Sequence, residues 1–236
     1  MKNTLTVARR EFAAYFNSPI AYIVIVVFLA ISTYLFFAQL FLSAESDVRP
    51  FFGLAPLLFC FFAPAITMGT FAQEKDRGTL ELLYTFPLSD WQVLGGKYLG
   101  VLGFGAVMVL LTTPFAFFVA AYGPLDKGPA IGGYLGLFLM LAGYMAIGVM
   151  ASTWTKNQVI AYILGVVLCF SLFLAGKVIQ LVPQWAAPIV SALSSDAHFQ
   201  SISRGVVDLR DLVYYGSLAG VSLVVAQSSL ESRRWR

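Results

Sequence analysis

The chain has 236 residues, of which 59% are hydrophobic, 15% aromatic and only 11% charged. A soluble domain is about 45–50% apolar and about 25% charged, and has no core large enough to hide this much apolar surface. The aromatic content excludes a disordered chain, and a net charge of only +3, scattered along the sequence, excludes a nucleic-acid binder. The two cysteines, Cys60 and Cys169, each lie inside a long apolar run. They exclude a disulfide scaffold and read as buried free thiols. What remains is a polytopic membrane protein with lipid as its surroundings.

Residues 2–17 come first. Leu5, Ala8, Phe12, Tyr15 and Phe16 recur at helical spacing, with Lys2, Arg9, Arg10 and Glu11 largely on the other side. This predicts a basic amphipathic helix lying on the inner leaflet as an anchor, broken by Asn17-Ser18-Pro19. Six apolar runs follow, at 20–42, 51–72, 98–121, 131–153, 159–182 and 212–230. Each approaches or exceeds the roughly 20 residues that a spanning helix needs. The runs are unbroken, whereas barrel strands alternate polar and apolar over about 10 residues. The first run starts too late, and is too long and aromatic, for a signal peptide. Pro56, Pro64 and Pro114 predict kinks, since neighbours in a bundle can satisfy freed carbonyls. Gly95, Gly96, Gly100, Gly103 and Gly105 predict a close-packing surface. Lys177 is the only charge well inside a run, and it could snorkel to the outer face. The runs hold no Asp or Glu, which argues against an ion-coupled carrier.

An even number of spans puts both termini on one side. Ten Lys and Arg residues fall on that side, Lys97 among them as a loop residue, and five on the other. The positive-inside rule then predicts cytoplasmic termini. Tyr22, Trp91, Tyr98, Trp154, Trp185 and Trp235 fall near span ends, as an aromatic belt would.

The loop at 74–91 is the most informative stretch: Glu74-Lys-Asp-Arg77-Gly78-Thr79-Leu80-Glu81-Leu-Leu83-Tyr84, then Pro87. Gly78 permits a turn. Thr79 can cap a short helix with Glu81 in its first turn. Leu80, Leu83 and Tyr84 share a face, Pro87 ends the helix, and Ser89 or Asp90 can cap the next one. Physics alone favours, by a little, a solvated loop with incidental charges. The stretch 183–211 is too polar to span and predicts a helix in the outer interface, or dipping partly in. It carries Asp196, the single histidine His198, Arg204 and Asp208. A lone histidine reads first as a structural hydrogen-bonding residue.

No phosphate loop is present, since Gly95-Gly96-Lys97 is followed by Tyr98. One histidine and two isolated cysteines build no usual zinc site, so no metal and no catalytic residue is expected in this chain.

The loop motif Glu74, Gly78, Thr79, Glu81, Leu83, then Pro87 and Gly96-Lys97, resembles the signature of ABC-2 type permeases, the membrane subunits of many ABC exporters. The start Arg9-Arg10-Glu11-Phe12 with Tyr15-Phe16 resembles that family's connecting helix. Asp196-Ala-His198-Phe199 and Arg204-Gly-Val-Val-Asp208 are similar to the branch associated with bacterial gliding motility. The resemblance covers essentially the whole chain and implies one ABC-2 type transmembrane domain over residues 1–236. It is all-α and polytopic, with six transmembrane helices, an N-terminal interfacial helix, a cytoplasmic coupling helix and an outer partial or re-entrant segment before the last span. It further implies a bacterial inner-membrane location and a dimer with a second copy or a paralogous permease. Spans one and five would carry much of the interface, with small residues of span five such as Ala161, Gly165 and Ala175 allowing approach. Two ABC ATPase subunits would bind below, holding ATP and Mg, and an extracytoplasmic auxiliary protein is a further partner. The chain itself would be no enzyme. Its task would be to couple ATP hydrolysis to export or to mechanical transmission. The alternative reading is a non-transport membrane scaffold or assembly factor, which needs no ATPase.

Overall fold

The computed structural model describes residues 2–43, 47–79, 89–123, 125–179 and 183–234. Among the described residues the chain is all helical. In order come α1 (Lys2–Phe16), α2 (Pro19–Ser43), α3 (Arg49–Thr67), α4 (Gly69–Asp76), α5 (Asp90–Leu110), α6 (Pro114–Tyr122), α7 (Lys127–Trp154), α8 (Gln158–Val178), α9 (Ala187–Leu193), α10 (Ser195–Ser203) and α11 (Leu209–Arg234). Six stretches are long and apolar enough to cross a membrane: Pro19–Phe41, Arg49–Asp76, Asp90–Tyr122, Lys127–Trp154, Gln158–Val178 and Leu209–Ser232. The protein is an all-α, multi-pass membrane protein with the six expected spans.

The fourth span, α7, is the axis of the bundle. Its central window is 78% buried, against 22% for spans one, five and six. It packs against α3, α8, α10 and α11. Small residues allow the approach: a Cβ on Gly148 would lie 3.4 Å from the Pro64 backbone, and one on Gly165 of α8 would lie 2.9 Å from the Pro64 ring. Ala161, at 1% exposure, and Gly165 are thus consumed inside the protomer. They do not present a small surface to a second copy, as the sequence reading expected. The outward face of span five is instead Val159, Ile160, Ile163 and Val167.

The prolines behave in two ways. Pro56 and Pro64 stay inside α3. At Pro114 the chain leaves the helix for three residues, where the expectation was a kink. The hydroxyls of Thr112 and Thr113 donate to the carbonyls of Val109 and Leu110, both at 2.7 Å, beside the amides of the same two threonines at 3.1 Å, and so tighten the turn at the broken helix end.

Before the last span, α9 and α10 form the predicted partial segment. α10 lies against α7 and α8. Its N-terminus is buried: Ser195 bonds the Tyr144 hydroxyl at 2.5 Å, and its carbonyl accepts from Tyr215 at 2.7 Å. The Ser194 hydroxyl caps the helix at the amide of Ala197. His198 has the structural role read from sequence. Its Nδ1 lies 2.6 Å from Asp211, and its ring stacks on Tyr214 at 4.1 Å. Asp208 accepts from the Arg210 amide at 3.2 Å at the start of α11, and Arg204 ends α10 with its side chain exposed.

The glycine stripe of α5 receives α1. A Cβ on Gly96 would lie 2.6 Å from Val7, one on Gly100 2.6 Å from the Glu11 Cβ and 2.9 Å from the Ala8 carbonyl, and one on Gly103 3.0 Å from the Phe12 ring. The Gly100→Val variant should therefore lift α1 off the bundle at a cost of about 1–3 kcal/mol, the usual scale of overpacking. Limited trypsinolysis in detergent should show faster cleavage at Arg9 and Arg10 than in the parent, with the other helices unaffected.

Candidate functional site

The site lies where α1, α4 and the first turns of α5 meet, at the end of the bundle that carries both termini. The Ser89 hydroxyl starts α5 with a capping box, accepting from the Gln92 amide at 3.3 Å while Gln92 reaches back to the Ser89 amide at 3.3 Å. Two turns on, Lys97 is 2% exposed. Sequence reading had counted it among the loop cations, just ahead of the apolar run at 98–121. The helix instead runs through, and the glycines admit α1.

The Lys97 ammonium has three protons and uses all three. One goes to Glu11 on α1, one to Glu74 on α4 at 2.7 Å, and one to the Thr70 carbonyl at 3.1 Å. The Phe71 ring lies beneath it at 5.3 Å. A buried cation without partners costs several kcal/mol, and here two carboxylates and a carbonyl offset that cost. The cluster joins residues 11, 74 and 97 from three separate helices into one body. Two carboxyl groups share this one ammonium, and the second oxygen of Glu74 is buried with no hydrogen-bond partner.

Around this cation the other contacts run in the same sense. Tyr15 donates to the Ile66 carbonyl at 2.9 Å and stacks on Phe104 at 5.0 Å. Burial pushes its phenol well above the usual range, so it remains a donor at any physiological pH. Phe16 meets both Phe12, at 5.0 Å, and Phe104, at 5.6 Å. Lys75 is buried and donates to the Thr153 carbonyl at the end of α7, where helix carbonyls lack internal partners. Arg77 reaches back to Gln73, whose amide oxygen accepts from it at 2.7 Å in the orientation that satisfies both groups. Gly78 has φ of +70°, and a Cβ there would meet nothing within 4 Å. Its constraint is purely one of backbone. The Thr79 hydroxyl donates to the Glu74 carbonyl at 3.4 Å, closing the end of α4.

The sequence matches the family model described as ABC-2 family transporter protein over residues 37–203, well over half of the chain. The chain belongs to this family. Its match runs from the first span through α10, and so includes the base of the loop motif, Lys97 and the outer segment. ABC-2 domains are the membrane components of ABC transporters, not the ATPases. No curated protein matches the chain.

In this ABC-2 domain the residues singled out from sequence separate into three groups. Glu74, Arg77, Gly78 and Thr79 lie together at the end of α4, and Glu74 belongs to a helix that continues span two, where a loop was expected. Leu80, Glu81, Leu83 and Pro87, with the expected coupling helix, lie outside the described residues. On α1, Arg9 and Arg10 are exposed, while Phe12, Tyr15 and Phe16 are half-buried against α5 and α2. Two positions depart from the predicted amphipathic faces. Leu5 is 70% exposed, and Glu11 points inward to Lys97. The inward face is set by the glycine stripe and the buried cation, which a count of apolar residues does not see.

Removing the cation alone should be costly. Lys97→Met leaves Glu11 and Glu74 facing each other unpaired, and a loss of about 3–5 kcal/mol is expected. Thermal unfolding in detergent should show the loss, and Glu11→Gln with Glu74→Gln in the Lys97→Met background should restore most of it. An unchanged midpoint in Lys97→Met would mean that the cluster holds nothing.

Proposed function

We propose that this chain is the membrane-spanning permease subunit that couples ATP hydrolysis, carried out by two separate ABC ATPase subunits holding ATP and Mg, to export or mechanical transmission across the membrane. The observation that carries the reading is the Lys97 cluster. It clamps the base of the loop motif, at Glu74, to the N-terminal helix, at Glu11. Force delivered at residues 79–87 would reach α4 through Gly78 and Thr79. From there it would pass to α1 and span three together, because one buried cation joins all three. The membership in the ABC-2 family supports an ATPase partner on the side where this loop lies.

The Lys and Arg distribution supports cytoplasmic termini, and with them a bacterial inner membrane and docking of the ATPases at the α4 end. A dimer with a second copy, or with a paralogous permease, draws support from the apolar faces left exposed on spans one and five, Ile23, Val26 and Val27 on one and Val159, Ile163 and Val167 on the other. The outer residues Asp196, His198, Arg204 and Asp208 favour the branch associated with gliding motility, with an extracytoplasmic auxiliary protein at that face.

Co-purification from the native host tests the coupling role. Glu81→Lys should weaken ATPase association about tenfold, since a close interfacial charge pair can contribute roughly 1.5 kcal/mol or more. Gly78→Val should do similar damage through its backbone, and Gly78→Asn, which tolerates positive φ, should do little. Full ATPase recovery with the Glu81→Lys, Gly78→Val double variant would remove the coupling role and leave the scaffold reading.

A further inference from the structure

At the end of the bundle opposite Lys97 lies a cleft of about 380 Å³, within the range of small-molecule sites, roughly 300–1,000 Å³. Three helices form it. Arg49 and Phe52 come from the start of α3, Lys177 from the end of α8, Phe199 and Gln200 from α10, and Arg204 from the residue that follows α10. Three cations and one carboxylate, Asp196, line it. That carboxylate is 3% exposed and already accepts from Lys177 and from the Gln200 amide, both at 2.8 Å. Both contacts fall on its Oδ2. It fixes Lys177 over the Phe173 ring at 5.4 Å and so shapes the wall. Gly176 allows the close approach of α10 that this needs, with Asp196 Cβ 3.1 Å from where its Cβ would be.

The other two cations are accessible. Arg49 pairs with Asp126 at 3.2 Å and Asp47 at 3.6 Å, but all three side chains are substantially exposed. Such surface pairs are weak and exchange readily for a better acceptor. Arg204 is exposed and has no carboxylate within ion-pairing distance among the described residues. Guanidinium groups present planar donor forks that match phosphate and carboxylate oxygens. Phe52 and Phe199 also line the cleft, each otherwise packed into the bundle at 2% and 1% exposure. A cleft lined by accessible guanidinium groups and by aromatic residues suits a molecule with a charged head and an apolar neighbour better than a small hydrated anion.

We propose that this cleft binds the head of an amphiphilic anion, a phosphate- or carboxylate-bearing lipid, with its charge on Arg49 and Arg204 and its adjoining apolar part against Phe52 and Phe199. The site needs no ATPase and stands whether or not the coupling role does.

Native mass spectrometry of the intact chain, released from detergent with equimolar phosphatidylglycerol and phosphatidylcholine of the same acyl chains, tests this. The parent should retain phosphatidylglycerol at least about fivefold over phosphatidylcholine, and Arg49→Gln with Arg204→Gln should bring the ratio near one. Arg9→Gln with Arg10→Gln, at the other end of the bundle, should leave the preference intact, and excess glycerol phosphate should not displace the lipid. Unaltered circular dichroism and gel-filtration elution of the variants establish that the fold is kept. The proposal is overturned by a parent ratio near one or by a preference that survives the Arg49 and Arg204 substitutions. Loss of the preference in the Arg9 and Arg10 variant, or displacement by glycerol phosphate as strong as by the lipid itself, overturns it equally.

Discussion

A lysine ammonium cannot be left bare among apolar helices, and the need to satisfy Lys97 organises the whole terminus-bearing end of this protein. Its three protons require three acceptors. Span two supplies two of them by continuing as α4, so that Thr70 and Glu74 come within reach. The third comes from α1, which can approach only because Gly96, Gly100 and Gly103 present bare backbone to it. Remove any one of these features and the ammonium loses an acceptor. The N-terminal helix, the base of the loop motif and the start of span three are thus one packed unit, built around a single charge.

The opposite end follows the same rule with different parts. The buried carboxylate of Asp196 is met by Lys177 and Gln200, and His198 is met by Asp211. These pairs hold α10 within the bundle although its sequence is too polar to span. Between the two ends the span-four axis is nearly free of charge, and its contacts are those of small residues against prolines, aromatics and threonine. Charge is confined to two polar layers, each tying a short non-spanning helix to the spans. At both ends ion pairs thus fix short elements to long ones.

Much of this was legible in the sequence, for definite reasons. The six spans are apolar runs of sufficient length, and nothing else folds that way in a bilayer. The Ser89 cap, the positive φ of Gly78, the packing role of the α5 glycines and the structural role of His198 follow from local chemistry. What was not legible depends on partners distant in the chain. Lys97 looked like a loop cation because its acceptors lie 23 and 86 residues away. Glu11 looked outward-facing because helical periodicity gives the polar side but not which neighbour covers it. Gly165 looked available to a second copy because its inward partner, Pro64, is on another span, and Ala161 because its burial is not visible in its own run. An acid on the N-terminal helix and another just after span two, with a lysine among glycines opening span three, is the pattern that could have pointed to the cluster.

Amide hydrogen exchange on the intact chain in detergent addresses the central claim most directly. If Lys97 holds α1 and α4 to span three as one unit, Lys97→Met should lose protection over residues 2–16 and 69–79 together, while α7 and α8 keep theirs. Protection of α1 unchanged from the parent, or lost without any change in α4, would contradict the account.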